Sequence, residues 1–189
     1  MKFLFLLLNL ILAYELIPSA VRLSPLIFYY DSKVNNIHRN AFSEALKSWK
    51  DGGYFEIQAV SSFQGLNSRQ DGISSITYNN ATNIASTSIY ANYNHECRKW
   101  IVTEMDMIIN QYNLLDYNAS VNAFKHELGH MQLLEHNYIP NSLMNNSILV
   151  NKAGISVNTD LWDIHPDDKY GAYLTYTTSQ YCKKILEIL

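Results

Sequence analysis

The chain has 189 residues, 48% of them hydrophobic and 16% charged, with a net charge of −3. That length suits one compact domain and not two ordinary ones. An aromatic content of 13% excludes global disorder, and no basic patch points to nucleic acid or an anionic membrane. The two cysteines, Cys97 and Cys182, can form one disulfide but neither a disulfide scaffold nor a four-cysteine zinc site.

In chain order, Lys2 precedes an apolar run over residues 3–14 broken only by Asn9, and Pro18-Ser19-Ala20 follows. The run has the length of a signal h-region and falls short of the ~20 residues of a membrane span. Residues 1–20 therefore read as a signal peptide and 21–189 as one exported domain. The alternative is a retained amino-terminal anchor, the one case in which a membrane becomes a partner. An oxidising compartment would allow a Cys97–Cys182 disulfide; two buried thiols are the other reading.

Residues 26–30 are a short apolar run, expected as a buried strand. Ile37, Ala41, Phe42, Ala45, Leu46 and Trp49 recur at helical spacing, so a helix is expected over 34–50, stopped by Asp51-Gly52-Gly53. Strands are expected over 54–60 and, after the Asp71-Gly72 turn, over 73–78. Residues 86–93 are β-branched, aromatic and alternately polar, as in an exposed edge strand. A strand over 100–109 is expected to place Ile101, Thr103, Met105 and Met107 on one face. A helix is expected over 119–134 and irregular chain over 140–158. A last helix is expected from Pro166 to about residue 181, with Asp167 and Asp168 suiting the dipole of its first turn. The order gives an α/β (α+β) class, a sheet layer followed by a sheet-free tail.

His126-Glu127-Leu128-Gly129-His130 is an H-E-x-x-H segment. Residues four apart on a helix lie about 40° apart in rotation and one turn along. Two imidazoles so placed can hold one cation, with Glu127 beside them able to reach a metal-bound water. With six histidines in the chain, the match is rare by chance, and His136 at six residues past His130 makes it rarer. Six helical residues rotate about 600°, which turns His136 away from His130. His136 can join the site only if the helix breaks between them, at or near Leu133, with positive φ. Otherwise the helix runs on to Asn137 and His136 points elsewhere.

Asn137 to Asn145 follows, with Ser142-Leu143-Met144 inside it and Met144 eight residues after His136. This combination resembles the metzincins, most closely the matrixin-like zinc endopeptidases. Weaker resemblances run along the chain: Ala41-Phe42 through Trp49, Asp71-Gly72-Ile73, Glu104-Met105-Asp106 with Asn110, and Asp167-Asp168 with Gly171 and Tyr176. Departures are Leu133 where the longer pattern has glycine, and Asn145 where a tyrosine or proline would follow Met144. No cysteine-switch propeptide is visible, and His38, His95 and His165 are too scattered for a second zinc site.

The resemblance implies a twisted mixed sheet of about five strands with two helices, then a small lower subdomain with a Met-turn and a C-terminal helix. It implies Zn²⁺ held by His126, His130 and His136, with Glu127 as general base toward a zinc-activated water and Met144 packed beneath the imidazoles without binding metal. The implied substrate is a protein or peptide, extended beside the edge strand at 86–93, with a pocket wall from 144–148. Asp106 is expected to support the sheet and not to bind calcium. Two alternatives stand beside this secreted endopeptidase: a metal-dependent amidase on a cell-wall peptide, and a degenerate zinc- or peptide-binding metzincin without turnover. Intact Glu127 speaks against the second.

Overall fold

A computed structural model describes residues 20–51, 57–63, 70–79, 85–110, 112, 116–145 and 161–188. Among them are six strands, β1 (Ala20–Val21), β2 (Leu26–Asp31), β3 (Ile57–Phe63), β4 (Ser75–Tyr78), β5 (Ala85–Asn94) and β6 (Lys99–Ile109). Three helices accompany them, α1 (Asn36–Lys50), α2 (Tyr117–Met131) and α3 (Pro166–Ile188). This is the mixed α/β class expected. The leader and anchor readings rest on residues 1–19, outside the described residues, and β1 straddles the boundary placed at residue 20. Among the described residues, no helix is long and apolar enough to cross a membrane.

The sheet runs β3-β2-β4-β6 with every pair parallel. β6 also takes β1 in parallel at Trp100 and Ile101, and β5 antiparallel along nearly its whole length. β5 has β6 as its one strand partner among the described residues, so it is the edge strand expected.

The pattern of β6 departs from the simple alternation. Tyr90 faces Glu104 and Ala91 faces Val102, which leaves Thr103 as an extra residue in a β-bulge. A bulge shifts the phase of side chains on either side of it. Met105 and Met107 are therefore fully buried while Thr103 is exposed, and Val102 is buried instead. The expected common face of Ile101, Thr103, Met105 and Met107 is corrected accordingly.

Helix starts follow their caps. Asn35 accepts from the His38 N–H at 2.9 Å and Asp116 from the Ala119 N–H at 2.9 Å, which fixes α1 and α2 at Asn36 and Tyr117. α2 starts two residues before the expected 119 because the Asp116 side chain caps it there. α3 runs to Ile188, beyond the expected end near 181. The apolar stripe of α1 lies against α2 and the sheet. Phe42 meets Phe28 of β2 at 6.4 Å between ring centroids and Phe124 of α2 at 5.6 Å. Trp49 donates its indole N–H to the Lys125 carbonyl at 2.9 Å, locking the two helices. His38 is buried with its Nδ1 2.8 Å from the Tyr78 hydroxyl, a packed histidine as expected.

The other face of β6 carries two buried acids. Glu104 accepts the Asp71 and Gly72 N–H groups, fastening the turn before β4. Asp106 is fully buried and takes the Ser75 N–H at 3.0 Å and hydroxyl at 2.7 Å on Oδ1, while Oδ2 has no hydrogen-bond partner among the described residues. Burial raises its pKa from 3.8 to about 6, with the neighbouring Glu104 and Asp71 adding to the rise against the lowering by Ser75. Because the folded pKa lies above the unfolded one, the penalty is absent below about pH 4, grows as pH rises through the window, and is complete above about pH 6. Asp106→Asn should therefore raise the Tm at pH 8, and the gain should vanish near pH 4; thermal melts at both pH values read it. An equal gain at both would remove ionisation as the cause.

One disulfide joins Cys97, in the turn between β5 and β6, to Cys182 of α3, with a Cα–Cα distance of 5.5 Å. Of the two readings of the cysteines, the paired one describes this fold.

Candidate metal centre

α2 carries His126 and His130 one turn apart, and then stops. The expected run to residue 134 is corrected: the helix ends at Met131. Leu133 has φ of 65°. Its N–H donates to the His130 carbonyl at 2.8 Å, and the Leu134 N–H reaches back to the Gly129 carbonyl at 3.2 Å. These are the two bonds of a Schellman motif, which usually takes glycine at the left-handed position. Leucine there costs roughly 1–2 kcal/mol. Its side chain is only 2% exposed, and burying a leucine stabilises by about 1.5–3 kcal/mol, which offsets the backbone cost. Leu133→Gly should therefore lower unfolding stability by about 1 kcal/mol in urea while leaving metal affinity within a few-fold of the parent. A large loss of affinity would show that the leucine itself, and not the turn, holds the third histidine in place.

The turn swings His136 back to the helix. His126, His130 and His136 each offer a ring nitrogen, and the three lie within 4.8 Å of one another, the one such group of metal-ligating side chains among the described residues. The Nε2 atoms of His126 and His136 are 3.1 Å apart. Two ligands of a tetrahedral zinc, each roughly 2.0–2.1 Å from the ion, stand about 3.3 Å apart, so the spacing fits. The outer nitrogens are also engaged. His126 donates its Nδ1–H to the Leu143 carbonyl at 2.6 Å, and His130 its Nδ1–H to the Leu134 carbonyl at 2.8 Å. A carbonyl can only accept, so Nδ1 carries the proton in both rings and each Nε2 presents a lone pair. Burial lowers the pKa of His126 to about 3 and that of His130 to about 4, which keeps both neutral, as metal ligands must be. His136 is the exposed member. Donor type, spacing and outer partners thus fit a zinc ion.

Glu127 sits between the two helical histidines in sequence and is buried, 4% exposed. Burial raises its pKa to about 7, against the lowering effect of a 2.7 Å hydrogen bond from the Thr87 hydroxyl to Oε2. A carboxyl poised near neutrality beside such a histidine cluster can take and return a proton.

After His136 the 137–145 loop folds on itself. The Asn137 N–H donates to the Met144 carbonyl at 2.9 Å, and Asn145 N–H to the Ser142 carbonyl at 3.1 Å. Asp168, fully buried in the first turn of α3, accepts the Ser142 hydroxyl at 2.7 Å and the Leu143 N–H at 3.0 Å. The loop so held delivers the Leu143 carbonyl to His126. Asp168 lies in the first turn, where its charge suits the helix dipole as expected, and its oxygens also fasten this loop. An acid two residues into a helix carries no sequence mark that separates these roles. Met144 is 1% exposed and packs on Gly129, where a Cβ would overlap the Met144 sulfur. Gly129→Ala, ordinarily favourable in a helix by about 1 kcal/mol, should here cost roughly 1–3 kcal/mol as the methionine is displaced. Chemical denaturation measures it, and a stabilised variant would show that Met144 can swing aside freely. Of the pocket wall expected over 144–148, residues 146–148 lie outside the described residues. His95 packs on Tyr93 and the His165 Nδ1 accepts the Asp167 N–H, so neither joins the centre.

No protein-family model matches the chain, and none of the curated proteins matches it. Among solved structures it is similar to high choriolytic enzyme 1, a hatching enzyme zinc-protease from the medaka fish Oryzias latipes. That likeness covers 82% of this chain and 90% of the other, at 13% identity and a TM-score of 0.45.

Proposed function

We propose that the chain is a zinc-dependent endopeptidase of the metzincin type. The observation that carries this reading is the three-histidine cluster with the buried carboxylate of Glu127 beside its first ligand. Zinc, when bound by His126, His130 and His136, would polarise the scissile carbonyl and acidify a water. Glu127 takes the proton of the attacking water and returns it to the leaving amine. The Leu143 and Leu134 carbonyls hold two of the imidazoles in the ligating tautomer throughout. The outer edge of β5, without a strand partner among the described residues, offers main-chain groups to an extended peptide, which would add to the sheet as a further strand. The Cys97–Cys182 disulfide supports action in an oxidising compartment outside the cytosol.

The test is zinc analysis of the purified protein together with cleavage of casein and of peptidoglycan stem peptides. Casein cleavage should be abolished by a chelator and restored by zinc. Cleavage of stem peptides alone would favour the amidase, and stoichiometric zinc without any cleavage would leave a binding protein.

A further inference from the structure

β5 pairs with β6 so that Thr87 faces Met107 and Ile89 faces Met105. Residues directly opposite on paired strands project from the same face. Met105 and Met107 are fully buried, so Thr87 belongs to the inner face of the edge strand. Along that face the alternate residues are Ala85, Thr87, Ile89 and Ala91, with Ile89 and Ala91 packed against the core. Thr87 is the polar residue of an otherwise apolar row. Its hydroxyl lies 2.7 Å from Glu127 Oε2 and 3.5 Å from the Glu127 carbonyl, so the single hydroxyl proton goes to the carboxylate.

We infer that Thr87 is a positioning residue for the general base: its hydroxyl holds one carboxylate oxygen of Glu127 so that the other is presented to the water beside the metal. This inference rests on the endopeptidase reading and deepens it. A glutamate has three rotatable side-chain bonds, and proton transfer needs heavy atoms within about 2.6–3.2 Å. A hydrogen bond to one oxygen fixes the head group while leaving the second oxygen available. The donor also stands on the strand proposed to bind substrate. The base is thereby tied to that strand as well as to its own helix, so bound peptide and carboxylate share one rigid support.

The variants are Thr87→Val, which keeps the shape and removes the hydroxyl, and Thr87→Ser, which keeps the hydroxyl. On the zinc-loaded enzyme, Thr87→Val should lower kcat tenfold or more with KM within twofold of the parent, and Thr87→Ser should recover most of kcat. Zinc content should be unchanged in both. A second measurement needs no turnover. In the metal-free protein, the Tm shifts of Thr87→Val and Glu127→Met, which respectively remove the donor and the acceptor of this one contact, should be non-additive in the double variant. Unchanged kcat in Thr87→Val, or additive Tm shifts, would overturn the assignment. If the parent cleaves nothing while the Tm shifts remain coupled, the endopeptidase reading fails and the Thr87–Glu127 contact stands.

Discussion

Glu127→Gln should keep zinc at parental stoichiometry and lose about 10²–10⁴-fold in peptide cleavage, the range typical of removing a general base. Glutamine fills the same volume, and its amide oxygen can still accept the Thr87 hydroxyl that now lies 2.7 Å from Oε2. The metal should stay because Glu127 is not among the three clustered ligands. Removing a buried carboxyl whose pKa burial raises to about 7 should also leave the fold as stable or more so near neutral pH. Metal analysis, single-turnover cleavage and a thermal melt on one preparation check all three. Retained cleavage would take Glu127 out of the mechanism. Lost zinc would make it a ligand or a support for one.

His136→Ala should weaken zinc by more than about 100-fold, the upper range for losing only an outer-shell partner of a ligand. Two imidazoles from one helix turn leave the ion with half of a tetrahedral shell. The fold itself should change little in the metal-free protein, because His136 is exposed and the Schellman bonds at Leu133 and Leu134 do not involve its side chain. His95→Ala, in the β5–β6 turn, is the matching control and should bind zinc as the parent does. Competition with a chromophoric chelator measures both. Equal affinity in parent and His136→Ala would require another third ligand.

The site was legible where chemistry depends on spacing along one helix. Periodicity alone sets His126 and His130 one turn apart on one helix face, and the geometry that His136 needs to join them requires a break that the structure places at Leu133 with φ of 65°. The leucine looked anomalous because a sequence shows its backbone cost and hides its burial. Elements set by long-range pairing were less legible. The bulge in β6 depends on the partner strand, and nothing within residues 99–109 marks Thr103 as the extra residue. Thr87 is polar among neighbours that are also polar, Ser86 and Ser88, so its inward direction follows only from register. Asp168 and the loop at Ser142 meet across 26 residues, a contact with no local pattern. Two-residue β1 is too short for any periodicity, and only its pairing with Trp100 and Ile101 makes it a strand.

The disulfide also decides which metal ligands the chain can offer. His126, His130, His136 and the loop after them all lie within the 85-residue span between Cys97 and Cys182. Thiolates are soft donors that compete strongly with imidazoles for zinc and select copper(I). Once the two cysteines are joined, no free thiol remains and the histidine triad has no thiolate rival within the chain. A reduced chain instead carries two donors able to capture the ion in a non-native arrangement. Oxidation before metal loading should therefore favour the histidine cluster, and the covalent link also braces α3 against the β5–β6 turn.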